Sequence, residues 1–303
     1  MQPSHKWEPL PEKIRVGIFR FPFDMKEVST TVDWLARACH WLNNHPRIET
    51  VATEAIVDTP VDMSRNRALK RAIELNLQFA IFIDSDMWPD YEYLHNKGVE
   101  SEEAGIQQFL PAAFEFALAH DGPCVVGAPY CTSPPEERVL VMRWTTMETG
   151  APAGNAQIKS VDRGEASLRR GFEEVAALGT GLLLVDMRAM TLLPTPWFSY
   201  EFKDEEKTEK ASTEDIVFTR DLHLLGVPQY CFWNAWAGHW KMKMVTKPAN
   251  IPLGNISQAM KKVMYDKFNR DLNVQYGEKI RAIEAAGATG IPGEGGTQEA
   301  DQL

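Results

Sequence analysis

The first ninety residues alternate between two hydrophobic patterns. Short apolar runs that end at polar or turn-forming residues predict strands at 13–21, 50–57 and 79–84. Apolar residues that recur every three to four positions predict helices at 26–45 and 64–78. Strands that alternate with helices are typical of βα units, so we predict an α/β fold with a mostly parallel central sheet flanked by helices.

The same patterns predict details of the first two helices. In the helix at 26–45, the residues expected on the buried face are Val32, Leu35, Ala36 and Cys39. Ser64 is the N-cap candidate of the second helix. The expected buried residues of that helix are Ala68, Ala72 and Leu75.

Beyond residue 100 the patterns are more varied. We expect, in chain order, a helix at 106–120, strands at 124–130 and 175–187, a solvated loop in the charge run 201–210 and a helix at 211–228. A long polar helix at 257–286 and a Gly-rich tail with the composition of disorder should follow. We therefore divide the chain into a domain at 1–255 and, at 256–303, a C-terminal helical extension with a disordered tail.

Composition narrows the function classes. The chain carries a formal net charge of −10 without a block of basic residues, so a surface that tracks nucleic-acid phosphates is not indicated. The four cysteines lack CxxC spacing, so neither a zinc site nor a disulfide framework is indicated. No apolar stretch approaches the roughly 20 residues of a membrane-spanning helix, and the start lacks a signal-peptide core. We expect a cytoplasmic protein without a transmembrane segment.

The segment "FAIFIDSDMWPD" ends an apolar strand with two acids. Because side chains alternate along a strand, Asp84 and Asp86 should project on the same side, with Ser85 between them facing away. Ligands of α/β sheets bind beyond the carboxyl ends of strands, and paired carboxylates suit Mg²⁺ or Mn²⁺. The alternative is that both acids are turn residues before Pro89.

The helix at 211–228 begins with a second pair of acids. Glu214 and Asp215 occupy its first turn, behind Ser212 or Thr213 as N-cap. A favourable interaction with the helix dipole is enough to explain acids at this position. The apolar stripe of the helix consists of Phe218, Leu222 and Leu225. Both acids flank that stripe and lean toward the interior, so periodicity does not distinguish between them.

The segment "YCFWNAWAGHWKM" places His239 in aromatic surroundings. A histidine in this setting is more often a hydrogen-bonded core residue than a metal ligand. The neighbouring tryptophans suit either core packing or flat platforms for the C–H faces of sugars, and they are Trp233, Trp236 and Trp240. Nothing local decides between these alternatives.

In chain order these motifs resemble a known family. The succession of "RN" (65–66), "FIDSDM", "ALGTGLLLVD", "PWF", "TEDIVFTRDLHLLGVP" and "AGH" is similar to that of glycosyltransferases of the GT-A fold, close to the family 2-like members of bacteria and their phages. The resemblance spans residues 13 to 245. It implies a nucleotide-sugar donor, with UDP as the commonest nucleotide, and Mn²⁺ or Mg²⁺ as cofactor.

The resemblance also implies roles for individual residues. Asp84 and Asp86 correspond to the DXD motif that holds the metal, and His239 corresponds to the metal-associated histidine. Asp215 matches the catalytic base of inverting members, with Glu214 positioning the acceptor or capping the helix. The residues implied in donor binding are Arg65, Asn66, Ser85, Gly179, Thr180 and Gly181. Those implied in acceptor or sugar contacts are Trp197, Trp236 and Trp240.

One departure limits what the resemblance implies. The family's first strand runs into a short loop that reads the nucleotide base, whereas here the strand continues as "FRFPFDMKE", so base contacts do not transfer. The acceptor is open between a polysaccharide, a lipid carrier, a protein and, for a phage-encoded chain, a modified DNA base.

Parts of the sequence also fit two functions other than glycosyl transfer. A haloacid-dehalogenase-like phosphohydrolase also places DxD after an apolar strand, but it requires Thr or Val at the position of Trp88. A nucleotide-sugar-binding or carbohydrate-binding protein without turnover needs no base, so the pair Glu214 and Asp215 argues against it.

Overall fold

The computed structural model describes residues 7–22, 26–57, 60–95, 105–132, 137–145, 158–240 and 244–245. They belong to the compact unit Met1–Ile251. The domain boundary predicted at 255, the helix predicted at 257–286 and the predicted tail lie outside the described residues. Within the described ranges, no helix has the length and apolar character needed to cross a membrane.

Helices and strands alternate over residues 14–84, and beyond residue 84 several strands follow one another. The helices are α1 (Ser29–Asn44), α2 (Val61–Glu74), α3 (Tyr91–His95), α4 (Phe109–Ala119), α5 (Arg163–Leu168) and α6 (Glu214–Leu224). The strands are β1 (Ile14–Phe21), β2 (Ile48–Ala55), β3 (Phe79–Asp84), β4 (Met87–Trp88), β5 (Val125–Gly127), β6 (Val141–Trp144), β7 (Ile158–Ser160), β8 (Phe172–Val175), β9 (Ala177–Leu178), β10 (Leu182–Asp186), β11 (Glu201–Phe202), β12 (Lys210–Ser212), β13 (Gln229–Phe232), β14 (Gly238–Trp240) and β15 (Met244–Val245).

A seven-stranded sheet forms the centre, with the order β2-β1-β3-β10-β5-β13-β8. Strands β2, β1, β3, β5 and β13 run in one direction, and β10 and β8 run in the other. Five of the seven described strands are therefore parallel in direction, and the predicted α/β fold is confirmed. Smaller sheets with the orders β15-β14-β4 and β7-β6-β9 flank it.

Both faces of the central sheet are buried by helices. Side chains of β3 alternate between two apolar clusters, one with Phe79, Ile81 and Ile83 and the other with Ala80 and Phe82. Helices α1 and α4 contribute to the first cluster, and α2 and α6 contribute to the second. Burial on both faces explains why this strand reads as a continuous apolar run.

The buried face of α1 differs from the prediction. The residues that it buries are Thr31, Trp34, Ala38 and Leu42. Of the predicted stripe, Leu35 and Cys39 are half-buried, whereas Val32 and Ala36 are exposed. Trp34 offers more apolar surface than any residue of the predicted stripe, so its burial favours the observed face.

Helix α2 begins one turn earlier than predicted. Its N-cap is Pro60, in extended conformation, and Ser64 lies buried inside the helix. The predicted burial of Ala68 and Ala72 is confirmed, and Leu75 is partly buried at the C-cap.

Two other predicted elements are also divided differently. The strand predicted at 175–187 is broken between β9 and β10 by the residues Gly179 to Gly181. The charge run 201–210, predicted as a loop, contributes to a hairpin of β11 and β12. Asp204 closes its turn by accepting hydrogen bonds from the backbone N–H groups of Thr208 and Glu209.

Candidate active site

The two acids after the apolar strand lie where β3 ends. Asp84 is the last residue of β3, and its backbone N–H donates to Gly181. Residues 85 and 86 form a turn, so strand alternation does not extend to Asp86. Ser85 is buried, and its carbonyl accepts a hydrogen bond from the N–H of Val28, just before α1. The turn is thus held by Gly181, just before β10, on one side and by Val28, just before α1, on the other.

Asp84 belongs to a buried charge network centred on Arg65. Nη2 of Arg65 lies 3.0 and 3.2 Å from the two carboxylate oxygens of Asp84, and Nη1 donates to Glu214. The guanidinium carbon lies 5.7 Å from the ring centre of Phe21 and 5.9 Å from that of Phe198. A planar cation between two rings and two carboxylates is a buried counter-ion. The donor contact predicted for Arg65 stays a prediction, and the structure adds that its guanidinium binds two carboxylates of the protein.

The pKa values in this network follow from burial and charge. Burial raises the pKa of Asp84, Arg65 lowers it, and the nearby charge of Asp86 raises it again. Burial also raises the pKa of Glu214, where Arg65 opposes and the charge of Asp215 reinforces the shift. Burial alone would lower the pKa of Arg65, but the surrounding carboxylates raise it. Asp84, Asp86, Glu214 and Asp215 therefore lie close enough to interact electrostatically.

Asp86 faces His239 across a short gap. Nε2 of His239 lies 3.3 Å from Oδ2 of Asp86, and Nδ1 lies 2.8 Å from the carbonyl oxygen of Cys131. Because a carbonyl only accepts, Nδ1 carries a proton, and Nε2 faces the carboxylate either as a second N–H or as a lone pair. A lone pair facing a carboxylate needs a cation between them. Neighbouring ligands of one ion with bonds of about 2.1 Å lie about 3 Å apart, which this spacing matches.

The side chains of the described residues do not by themselves supply a full set of ligands for a metal ion. Among the described residues, no group of three His, Cys, Asp or Glu side chains is close enough to hold an ion. Asp86 and His239 are adjacent, whereas the third predicted ligand, Asp84, is paired with Arg65. The arrangement fits an ion that takes its remaining ligands from water and phosphate oxygens, as Mg²⁺ commonly does.

Tyr130 explains the glycines that follow β9. Its hydroxyl accepts a hydrogen bond of 3.1 Å from the N–H of Gly181. A Cβ at Gly179 would lie 2.3 Å from the Tyr130 hydroxyl oxygen, and a Cβ at Gly181 would lie 2.8 Å from its ring. These glycines, predicted as donor contacts, are therefore required by the packing of Tyr130. The Thr180 side chain between them is fully buried, and its hydroxyl has no hydrogen-bond partner within the described part of the chain.

Tyr130 borders the site but belongs to none of the sequence motifs. Its ring packs edge-on against His239 with centroids 5.3 Å apart. Burial raises the pKa of Tyr130, and the charges of Asp215 and Asp84 raise it further. The tyrosine thus lies between the histidine and the carboxylates. The only sequence signal was the pair of glycines, whose need for space points to a bulky neighbour.

The two acids of α6 differ in environment. Glu214 is buried and bound to Arg65, and Tyr200 donates a further hydrogen bond to it. Burial and the charge of Glu214 raise the pKa of Tyr200 to about 12. Asp215 is half-buried and accepts hydrogen bonds from the Thr213 hydroxyl and from its own helix. Thr213 is the N-cap, as one of the two predicted alternatives stated.

Three other predicted site residues, Asn66, Trp197 and Trp236, make contacts within the protein in this structure. The amide of Asn66 exchanges hydrogen bonds of 2.8 and 3.0 Å with the backbone of Phe198, which fixes the loop before β11. Trp197 packs against the core while half-buried. Trp236 is fully buried beside Trp233, and its predicted contact with an acceptor stays a prediction.

No protein-family model and no curated protein sequence matches the chain. Among solved structures, the crystal structure of A197 from STIV is similar over 77% of this chain and 94% of that chain, with 16% identity and a TM-score of 0.45. GalNAc-T7 with UDP, GalNAc and Mn²⁺ matches over 75% of this chain and 44% of that chain, with 10% identity and a TM-score of 0.36. A glycosyltransferase involved in glycosylation of the major capsid of PBCV-1 matches over 72% of this chain and 91% of that chain, with 13% identity and a TM-score of 0.27.

The matched structures include glycosyltransferases, which is the class that the sequence motifs resemble. These likenesses are loose, so the assignment of function rests on the residues of this chain.

Proposed function

We propose that this chain is a metal-dependent glycosyltransferase that moves a sugar from a nucleotide-sugar donor, with UDP as the expected nucleotide, to an acceptor hydroxyl with inversion. The observation that carries the proposal is the facing pair Asp86 and His239, beside a charge network that ends at Glu214 and Asp215. These elements lie at the carboxyl end of β3, where α/β sheets bind ligands. A pure binding protein would not need the second acid pair.

The metal site would be built from Asp86 and His239, with Asp84 adjacent. Imidazole and carboxylate together suit Mn²⁺ better than Mg²⁺, which prefers oxygen ligands alone. When bound, the ion supplies positive charge that stabilises the departing diphosphate. Arg65 holds the Asp84 carboxylate in a fixed orientation, so Asp84 would lie beside a bound ion without having to reorient.

The base would be Asp215. Glu214 is already bound by Arg65 and Tyr200, whereas Asp215 is more open to solvent. A base must come within about 2.6 to 3.2 Å of the acceptor hydroxyl or act through one water, which favours the more accessible carboxylate. In this assignment Glu214 orients the start of α6, and Asp215 takes the proton.

Of the predicted donor contacts, Thr180 has independent support. Its hydroxyl is buried without a described partner, and buried polar groups in native proteins are usually hydrogen-bonded. A hydroxyl or phosphate oxygen of the donor would satisfy it. Ser85 and Gly181 flank the same strand ends as Asp84, so they border the proposed donor site through their backbones.

The test is release of UDP from UDP-sugars with Mn²⁺ present. We expect Asp215→Asn to lower kcat by roughly 10²- to 10⁴-fold, the usual size of a general-base contribution, with donor affinity nearly unchanged. Glu214→Gln is the matched variant. If Glu214→Gln loses turnover while Asp215→Asn keeps it, the two roles are reversed. If both keep it, the inverting mechanism is wrong.

A further inference from the structure

The segment 128–131, which follows β5, is fixed by its backbone and by burial. The N–H of Ala128 donates a 3.1 Å hydrogen bond to the carbonyl of Leu182 in β10. The carbonyl of Tyr130 accepts a 3.0 Å hydrogen bond from the N–H of Leu140. All four residues of the segment are buried. The segment is therefore a firm support for whatever packs against it.

This segment binds the chain around His239 at two points. The carbonyl of Pro129 accepts a 3.0 Å hydrogen bond from the N–H of Ala237, two residues before the histidine. Nδ1 of His239 donates a 2.8 Å hydrogen bond to the carbonyl of Cys131. Metal-ligating histidines commonly donate their second ring N–H to a carbonyl in this way, which fixes the tautomer and the ring orientation. The bond leaves Nε2 facing Asp86.

The side chain of Tyr130 restrains the same imidazole from another direction. Its ring packs edge-on against that of His239, with centroids 5.3 Å apart and an angle of 89° between the ring planes. Tyr130 is only 3% exposed, so its ring has little room to move aside. A rotation of the imidazole would have to break both the ring contact and the hydrogen bond to Cys131.

The hydroxyl of Tyr130 reaches the carboxylate half of the site. It accepts a 3.1 Å hydrogen bond from the N–H of Gly181. The carbonyl of Gly181 in turn accepts a 3.0 Å hydrogen bond from the N–H of Asp84, where the turn that carries Asp86 begins. One tyrosine side chain thus contacts the histidine directly and the acidic turn through a single glycine.

We propose that Tyr130 is a positioning residue, which holds His239 and the turn with Asp86 at the spacing of two ligands of one metal ion. The distance of 3.3 Å between Nε2 of His239 and Oδ2 of Asp86 is the geometry that it maintains. Ligands that are held in place before binding lose little conformational freedom, so metal affinity depends on the residues that orient them. The inference rests on the metal site of the proposed function and adds to it a residue outside the motifs.

Two substitutions separate the two contacts of Tyr130. Tyr130→Phe removes the hydroxyl and its bond to Gly181 but keeps the ring beside His239. Tyr130→Leu removes both contacts. Thermal unfolding shows whether each variant is folded at the temperature of the measurements.

The matched control is Tyr230→Leu. Tyr230 also packs edge-on against a histidine, with its ring centroid 5.5 Å from that of His120 and its hydroxyl 3.3 Å from Nε2 of that residue. The pair contacts neither Asp86 nor His239 by any hydrogen bond described above. The control therefore removes the same kind of contact without touching the proposed site.

Three measurements follow the two ligands. Electron paramagnetic resonance of free Mn²⁺ gives the affinity for Mn²⁺ alone and with UDP. Electron spin-echo modulation of bound Mn²⁺ shows coupling to ¹⁴N when an imidazole is a ligand. Without metal, ¹⁵N NMR detects the Nδ1–H of His239, which is assigned by its loss in His239→Ala.

We expect Tyr130→Leu to lower Mn²⁺ affinity by roughly 10- to 100-fold, the usual effect of losing a residue that orients a metal ligand. The ¹⁴N coupling should weaken, and the Nδ1–H signal should broaden as the ring becomes mobile. Tyr130→Phe should lose less affinity and keep both signals, because the ring contact remains. Tyr230→Leu should match the wild type in all three measurements.

Folded Tyr130→Leu that binds Mn²⁺ like the wild type, with unchanged ¹⁴N coupling, would overturn the inference. Equal losses in Tyr130→Leu and Tyr230→Leu would show general destabilisation and overturn it too. If Tyr130→Leu does not fold, Tyr130→Phe decides, since unchanged Mn²⁺ affinity in that variant contradicts the link through Gly181. A wild-type protein that binds no Mn²⁺ refutes the metal site of the proposed function, and the inference with it. Unaltered variants of a Mn²⁺-binding wild type refute the inference alone.

Discussion

Replacing Arg65 by Met tests whether this cation is a structural counter-ion. Arg65 is buried and joins the Asp84 and Glu214 carboxylates, so the substitution leaves two partly or fully buried acids without their cation. Removing one partner of a buried ion pair costs about 3 to 5 kcal/mol, and we expect a loss of that size in the free energy of unfolding. For a domain of ordinary stability this is a large fraction of the total.

Urea unfolding measures the loss, and its pH dependence tests the cause. Arg65 lowers the folded-state pKa of Asp84 and of Glu214, against burial that raises both. Without it, both folded-state pKa values rise further. An acid with a raised folded-state pKa stabilises the fold only at low pH and loses that contribution as the pH rises. The deficit of Arg65→Met should therefore be largest near neutral pH and shrink toward pH 4.

The control is Arg71→Met on the same helix. Arg71 is exposed and pairs with Glu54 and Glu74 at 3.2 and 3.3 Å, and exposed ion pairs of this kind contribute little. Its stability should match that of the wild type. Equal losses in the two variants, or a deficit of Arg65→Met that does not change with pH, would refute the counter-ion role.

Two further predictions concern buried contacts. Burial raises the pKa of Asp90 from 3.8 to about 6. The free energy of unfolding of the wild type, compared with that of Asp90→Asn, should therefore fall by up to about 3 kcal/mol as the pH rises from 3.8 to 6 and above. Parallel stability–pH curves of the two proteins would contradict this prediction. Gly179→Ala should lower the free energy of unfolding by about 1 to 3 kcal/mol, because the new Cβ clashes with the Tyr130 hydroxyl. In thermal unfolding, the double variant Gly179→Ala/Tyr130→Phe should recover part of this stability. If it recovers none, the clash is not with the Tyr130 hydroxyl.

The central sheet was predictable because its strands are buried on both faces. "FAIFID" reads as a strand without tertiary information, and its place between two helices implies the βα order. The face buried by α1 was not predictable with the same rule. Trp34 and Leu35 both lie on apolar stripes, and only packing against the sheet selects the first.

The site was predictable in its residue types but not in its pairings. The acids at the ends of β3 and the start of α6 follow from the motifs, and the structure joins them through Arg65. No local pattern indicates that Arg65 in α2 will bind both Asp84 and Glu214, which lie far apart in the chain. Tyr130 and Tyr200 were missed for the same reason, since each acts through a partner that only the fold brings close.

Calorimetry of UDP and GDP, each with Mn²⁺ and with EDTA, tests the central claim most directly. We predict that at least one of them binds with Mn²⁺ and loses most of its affinity in EDTA, and that Asp86→Ala and His239→Ala reduce the Mn²⁺ value to the EDTA value. The control His120→Ala removes a histidine that bonds Gly122 and Tyr230 instead and should bind like the wild type. Equal affinity with Mn²⁺ and with EDTA, or Mn²⁺-dependent binding that survives in both site variants, would contradict a metal site built from Asp86 and His239.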